Sequence, residues 1–144
     1  AFTVKEYSND SSFFLQIWDF AGQSRFTKFM YSLLNGARAG LLVFDLSNLT
    51  TLDVLENFWI PHMHDILKID FTQSAKLPFI LVGNKLDLVK NTDKQALALE
   101  EVNEFRKKFK LDFISVSAKT GENIQAMESM IISKIKSMVL ATTS

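Results

Sequence analysis

Two apolar runs limit what this chain can fold into: Ala39–Leu46 (Ala-Gly-Leu-Leu-Val-Phe-Asp-Leu) and Phe79–Gly83 (Phe-Ile-Leu-Val-Gly). A strand with one wetted face alternates apolar and polar side chains, whereas a run without alternation demands cover on both faces. Helical spacing follows each run, at Leu52, Leu55, Phe58 and Trp59 after the first and at Val102, Phe105 and Phe109 after the second. Strands that alternate with helices predict right-handed crossovers. The expected fold is therefore three-layer α/β, a mainly parallel sheet with helices on both faces.

The rest of the chain fits around that frame. Phe2–Tyr7 alternates and is rich in β-branched and aromatic residues, which predicts an edge-type strand. Ser8-Asn9-Asp10-Ser11 reads as a turn and Ser12–Trp18 as a second strand, so the two form an antiparallel hairpin. Gln23–Asn35 carries Phe26, Phe29, Met30, Leu33 and Leu34 on one helical stripe, with Gly36 placed to end it. Ser47-Asn48-Leu49-Thr50 offers capping groups to the next helix, which Pro61 should kink or restart. The polar stretch between Leu67 and Lys76 reads as a surface loop. A helix over Leu97–Phe109 turns Glu100, Glu101, Lys107 and Lys108 outward, acids leading and bases trailing as the helix dipole favours. Asp112–Val116 is a short strand, and a helix from Glu122 to about Leu140 buries Ile124, Met127, Ile131, Ile135 and Met138. With no repeat, low-complexity tract or linker, residues 1–144 read as a single domain.

Composition narrows the partners. Sixteen basic and sixteen acidic side chains leave no net charge, so neither nucleic acid nor an anionic membrane is expected as the main partner. The absence of cysteine excludes disulfides, thiolate chemistry and cysteine–zinc sites, and makes an intracellular, cytoplasmic location the default. No apolar run is long enough to span a bilayer. His62 and His64, two apart, point to different sides of a helix, which is poor metal geometry. Asp45 and Asp70 have no nameable partner in the sequence, and Met127, Met130 and Met138 read as helix core.

Chemistry-bearing residues cluster just after strands. In Leu15-Gln16-Ile17-Trp18-Asp19-Phe20-Ala21-Gly22-Gln23, an apolar strand ends at a carboxylate and turns through a glycine. Ligands of open α/β sheets gather beyond the carboxyl ends of strands, where Asp19 could hold a phosphate-bound Mg²⁺ and the Gly22 N–H could approach an anion. Gln23 offers an amide to a water. The plainer alternative makes Asp19 a helix cap and Gly22 a turn residue. In Asn84-Lys85-Leu86-Asp87 the carboxylate can accept two parallel N–H bonds from one planar edge, which guanine presents and adenine does not. Lys85 can lay its stem on a purine face and Asn84 can tie neighbouring loops; an Asx turn with a solvated lysine is the alternative. In Ser117-Ala118-Lys119 a small residue lets a backbone N–H reach a base carbonyl and a lysine can cover the ring, although the tripeptide is also an ordinary helix lead-in.

In order and spacing, Trp18-Asp19-Phe20-Ala21-Gly22-Gln23, Asn84-Lys85-Leu86-Asp87 and Ser117-Ala118-Lys119 resemble the third, fourth and fifth guanine-nucleotide motifs of Ras-superfamily small GTPases. The segments around Asp19 and Gln23 are most similar to the Rab branch, with Phe20 and Ser24 where that branch usually carries Thr and Glu. The resemblance runs from Phe2 to the end of the last helix. It implies a P-loop NTPase-like G domain that takes GTP or GDP and Mg²⁺. Asp19 would support the Mg²⁺ through water, Gly22 would contact the γ-phosphate, and Gln23 would be the catalytic residue that orients the attacking water. Asp87 would read guanine, with Asn84, Lys85, Ser117, Ala118 and Lys119 completing the base pocket. Gly22 to about Leu34 would be the second switch, met by an exchange factor, a GTPase-activating protein and effectors. Its Phe26, Leu33 and Leu34 would be either a partner-facing patch or core. The protein would act as a monomer.

The sequence also departs from that family. It contains no G-x-x-x-x-G-K-[ST] phosphate loop, and Thr3 is out of register for the Mg²⁺-coordinating threonine of the first switch. The chain opens mid-strand without an initiating Met, so the expectation is an N-terminal truncation that removes the first strand and the phosphate loop. In the family that strand lies between the strands seen here at Ser12–Trp18 and Ala39–Leu46; without it both would expose unpaired edges and apolar faces. The ending Ala-Thr-Thr-Ser offers no cysteine for prenylation, so this chain carries no direct membrane anchor, and peripheral association would need a lipidated tail. The leading expectation is a Rab-like switch that hydrolyses GTP and regulates trafficking or signalling partners, inactive in this chain without the phosphate loop. The alternative is a non-catalytic pseudo-GTPase interaction module that keeps the base pocket and has lost phosphate binding. A third reading is an unrelated doubly wound domain with another ligand at the same sheet edge.

Overall fold

The computed structural model describes residues 2–7, 13–20, 32, 34–73 and 77–142. They belong to two compact units, Ala1–Gly36 and Ala37–Ser144. In the first unit β1 (Phe2–Tyr7) and β2 (Phe13–Trp18) pair antiparallel, Phe2 opposite Trp18 and Tyr7 opposite Phe13, which is the expected hairpin. Of the helix expected over Gln23–Asn35, residues 23–31 and Leu33 lie outside the described residues; Ser32 and Leu34 are helical. Gly36 takes φ +104°, a left-handed conformation that suits glycine at a helix end.

The second unit is built on a parallel sheet in the order β3 (Gly40–Asp45), β4 (Phe79–Asn84), β5 (Asp112–Ser115). The helix α1 (Thr50–Val54), a π-helical turn (Leu55–Trp59) and α2 (Ile60–Leu67) lead from β3 to β4. Between β4 and β5 run α3 (Leu86–Val89) and α4 (Asp93–Phe109), and α5 (Ile124–Thr142) follows β5. Register aligns Asp45 with Asn84 and Gly83 with Ser115, so the carboxyl ends of the three strands share one edge. β4 is buried from Phe79 to Gly83, as a central strand covered on both faces must be. On one face Ile80, Val82 and Val116 pack with Ile131 of α5, flanked by Ile124, Met127 and Ile135. On the other, α1 and the π turn pack on β3 over its buried Leu42 and Phe44.

Several local expectations change. The run Ala39–Leu46 is not covered on both faces: Leu41 and Val43, which alternate with Leu42 and Phe44, are 37% and 50% exposed. Residues after Leu67 are not simply a surface loop, because Ile69 and Phe71 are buried. Phe71, 2% exposed, meets the Phe79 ring edge-on at 4.9 Å and closes the core over the start of β4. α4 begins at Asp93, four residues before the expected start at Leu97, since its first turn is held by polar groups: Gln95 Oε1 accepts from the Asn91 N–H at 2.9 Å. Pro61 restarts the helix through the π turn. The Ile60 N–H reaches back to the Leu55 carbonyl, and this wider turn spares the Asn57 carbonyl a clash with the proline ring. His62 and His64 each place Nδ1 on a backbone carbonyl, Phe58 at 2.7 Å and Ile69 at 2.8 Å; a carbonyl only accepts, so both Nδ1 atoms carry the proton. Asp70 does have a partner, accepting from the N–H (2.8 Å) and hydroxyl (2.6 Å) of Thr72 in an Asx turn.

Candidate functional site

At the shared carboxyl edge the chain leaves β4 through Gly83 and Asn84. A Cβ on Gly83 would lie 2.8 Å from Leu46 Cγ and Cδ2, so only glycine fits against the buried Leu46. Lys85 then turns in the left-handed region (φ 63°, ψ 35°) and sends the chain into α3, with Asp87 in its first turn. This short helix, which starts inside the Asn84–Asp87 tetrapeptide and runs to Val89, is not visible in the sequence pattern, because four residues are too few to show an apolar period.

The loops after β4 and β5 are laced together. Asn84 Oδ1 accepts two backbone N–H groups, from Lys85 at 2.7 Å and from Ala118 at 3.0 Å, so one side-chain oxygen joins both loops. Main-chain bonds repeat the link: the Val116 N–H donates to Gly83 O at 2.8 Å and the Leu86 N–H to Val116 O at 3.0 Å. Ser117 is 0% exposed; its hydroxyl donates to Asp87 Oδ1 at 2.6 Å and accepts from the Thr120 N–H at 3.2 Å. This buried hydroxyl spends its one proton on the carboxylate and so orients it, while its oxygen accepts from the loop. Further out, Lys90 Nζ meets Glu122 Oε1 at 2.6 Å and Asn123 Nδ2 donates to Ser115 O at 2.8 Å.

These bonds decide what the pocket can do. A carboxylate has about four acceptor positions, so Asp87 holds Ser117 and still has its second oxygen for the N–H groups of a planar ligand. With Asn84 Oδ1 doubly occupied, the amide's remaining capacity is its Nδ2 donors. The Ala118 N–H, expected to face a ligand carbonyl, is given to Asn84, so a ligand must share it. Lys119 is exposed in the turn between Ser117 and Gly121. Asn84, Lys85, Asp87, Ser117, Ala118 and Lys119 are thus brought together on one edge.

The remaining expected residues belong to the first unit. Asp19 follows the last residue of β2 and is exposed. Gly22 and Gln23 lie outside the described residues. Among the described residues no three His, Asp or Glu side chains group as metal ligands. A Mg²⁺ held mostly by phosphate and water needs only one such carboxylate, and Asp19 is chemically suited to that.

Asp45, like Asp70 without a nameable partner in the sequence, also has one in the structure. It ends β3, and its Oδ2 lies 2.6 Å from Lys85 Nζ. Its Oδ1 accepts from the Ser47 N–H (2.8 Å) and hydroxyl (2.6 Å). Burial opposes its ionisation, but the Lys85 ammonium and the two Ser47 donors outweigh burial and hold the carboxyl below the usual aspartate value of 3.8. No local sequence signal marks this pair: it is made by the parallel register of β3 on β4, which sets Asp45 opposite Asn84 and so beside the next residue, Lys85.

A family model described as Ras family matches residues 1–137. Over 111 residues the chain is 38% identical to Ras-related protein Rab-4A of Bos taurus, covering 77% of this chain and 46% of that protein. It is 34% identical over 128 residues to GTP-binding protein YPT53 of Saccharomyces cerevisiae, covering 86% and 55%. It is 32% identical over 125 residues to Ras-related protein Rab-1 of Theileria annulata, covering 87% and 53%. The chain spans about half the length of these curated relatives.

Proposed function

Because the chain belongs to the Ras family, we propose that it is the G domain of a Rab-like switch that binds GTP and GDP, hydrolyses the first to the second, and in doing so regulates trafficking or signalling partners. The observation that carries this reading is the Ser117-oriented carboxylate of Asp87 beside the doubly bonded amide of Asn84. Asp87 accepts the paired N–H groups of guanine, Asn84 donates from Nδ2, the Ala118 N–H shares itself with the base carbonyl, and the stems of Lys85 and Lys119 cover the ring faces. In the first unit Asp19 would hold Mg²⁺ through a water, the Gly22 N–H would contact the γ-phosphate, and Gln23 would orient the water for hydrolysis. Mg²⁺, when bound, would supply charge neutralisation to the phosphates.

Gly22 to about Leu34 is the second switch, through which exchange factor, activating protein and effectors act on a monomeric protein. No helix of the described residues is long and apolar enough to cross a membrane. Work in the cytoplasm, with peripheral membrane contact through a lipidated tail, suits the Rab-like reading.

The test is base exchange in the full protein. Asp87→Asn replaces an acceptor with a donor, so guanine loses a charge-assisted pair, about 1.5–3 kcal/mol or roughly 10- to 150-fold in affinity. Xanthine, with a carbonyl where guanine has an amino group, gains in the same variant. Unchanged GDP binding by Asp87→Asn, or wild-type affinity for ADP equal to that for GDP, would overturn the proposal.

A further inference from the structure

We infer that Asp45 is a positioning residue for the base pocket, holding the Lys85 side chain in place along the carboxyl edge of the sheet; the inference rests on the guanine-nucleotide reading above. Three features make Asp45 a fixed anchor. Its register partner is Asn84, the residue before Lys85, so the two strand ends deliver acid and base side by side. Its Oδ1 is held by both donors of Ser47 while Oδ2 takes the ammonium at 2.6 Å. Its backbone N–H donates to Thr51 Oγ1 at 2.8 Å, and that hydroxyl donates onward to Asn48 O at 2.7 Å. The carboxylate is half-buried, whereas Lys85 is exposed apart from this contact.

Lys85 is thereby fixed at both ends. Its backbone N–H is on Asn84 Oδ1 and its Nζ is on Asp45, so the methylene stem is held between two fixed points at the carboxyl edge. A free lysine would have to give up its rotamer freedom when a planar base settled against it; a lysine already clamped does not. Asp45 also neutralises the ammonium, so the pocket presents a stem to stack on instead of a loose charge seeking phosphate or solvent. A surface ion pair of this kind adds little to folding. Its effect is on binding.

The experiment is equilibrium binding of fluorescently labelled GDP to the full protein for wild type, Asp45→Asn, Asp45→Glu, Lys85→Ala and the Asp45→Asn/Lys85→Ala double variant. Asp87→Asn is titrated in parallel with GDP and xanthosine diphosphate, and thermal unfolding is recorded without ligand. Asn at 45 keeps an acceptor for Ser47 and removes only the charge. Asp45→Asn should weaken GDP about 2- to 10-fold. Lys85→Ala should cost at least as much, and the double variant should bind no more weakly than Lys85→Ala alone. Asp45→Glu, which keeps a carboxylate in reach of Nζ, should recover part of the loss. Wild-type affinity in Asp45→Asn, or losses that multiply in the double variant as a purely turn-capping role would give, overturns the inference. If Asp87→Asn switches base preference while Asp45→Asn binds normally, only this inference falls; if Asp87→Asn changes nothing, the base pocket itself falls and takes the inference with it. Should Asp45→Asn not fold, Ser47→Ala loosens Oδ1 without touching the charge, and its effect on GDP must likewise vanish in the Lys85→Ala background.

Discussion

Ser117 has no exposed surface, and its hydroxyl is bonded on both sides, to Asp87 Oδ1 and to the Thr120 N–H. Removing it takes a donor from the half-buried Asp87 carboxylate and an acceptor from the exposed Thr120 N–H, both of which water can partly replace, so the combined loss is about 1–3 kcal/mol. Ser117→Ala should therefore lower the unfolding free energy by about 1–3 kcal/mol in denaturant titration. It should also weaken GDP, since Asp87 is freed to turn. Single residues of this kind were legible in the sequence because each follows a strand directly, and topology alone sends such residues to one edge. Asp45 was not legible for the complementary reason: its partner is set by the register of β3 against β4, which no local pattern encodes.

Elements read well where burial is complete and poorly where it is shared. β4 and the apolar face of α4 were visible as continuous or periodic patterns, and both occur where expected. Phe71 was hidden because a single aromatic in a polar stretch makes no period, yet it packs edge-on against Phe79. The π turn was hidden too, since Pro61 announces a disruption without saying how it resolves. One tight element-level constraint is where β4 passes Leu46. Gly83→Ala would put a methyl 2.8 Å from buried carbons, and such overpacking costs about 1–3 kcal/mol. Its thermal midpoint should fall by roughly 4 °C per kcal/mol in calorimetry, and a Gly83→Ala protein as stable as wild type would show that Leu46 is free to move aside.

At the scale of the whole molecule, the three-stranded sheet ends at β3, which among the described residues pairs only with β4. Leu41 and Val43 stand exposed on the face opposite Leu42 and Phe44. An apolar face on a strand at a sheet edge promotes self-association. In the 144-residue chain, Val43→Lys should lower light scattering at equal concentration and leave the unfolding free energy within about 0.5 kcal/mol, as surface changes do. Scattering that does not change would place the adhesive surface elsewhere. The sequence indicated that strands here would show such edges and faces, and it gave no means of seeing which side chains would be left bare.

One oxygen atom couples the two loops at the carboxyl edge of the sheet. Because Asn84 Oδ1 is the common acceptor for the Lys85 and Ala118 amides, twisting that single carboxamide slackens the exits of two strands together. A partner that displaces either loop therefore pulls on the other as well, through this oxygen and through the main-chain bonds that also join them.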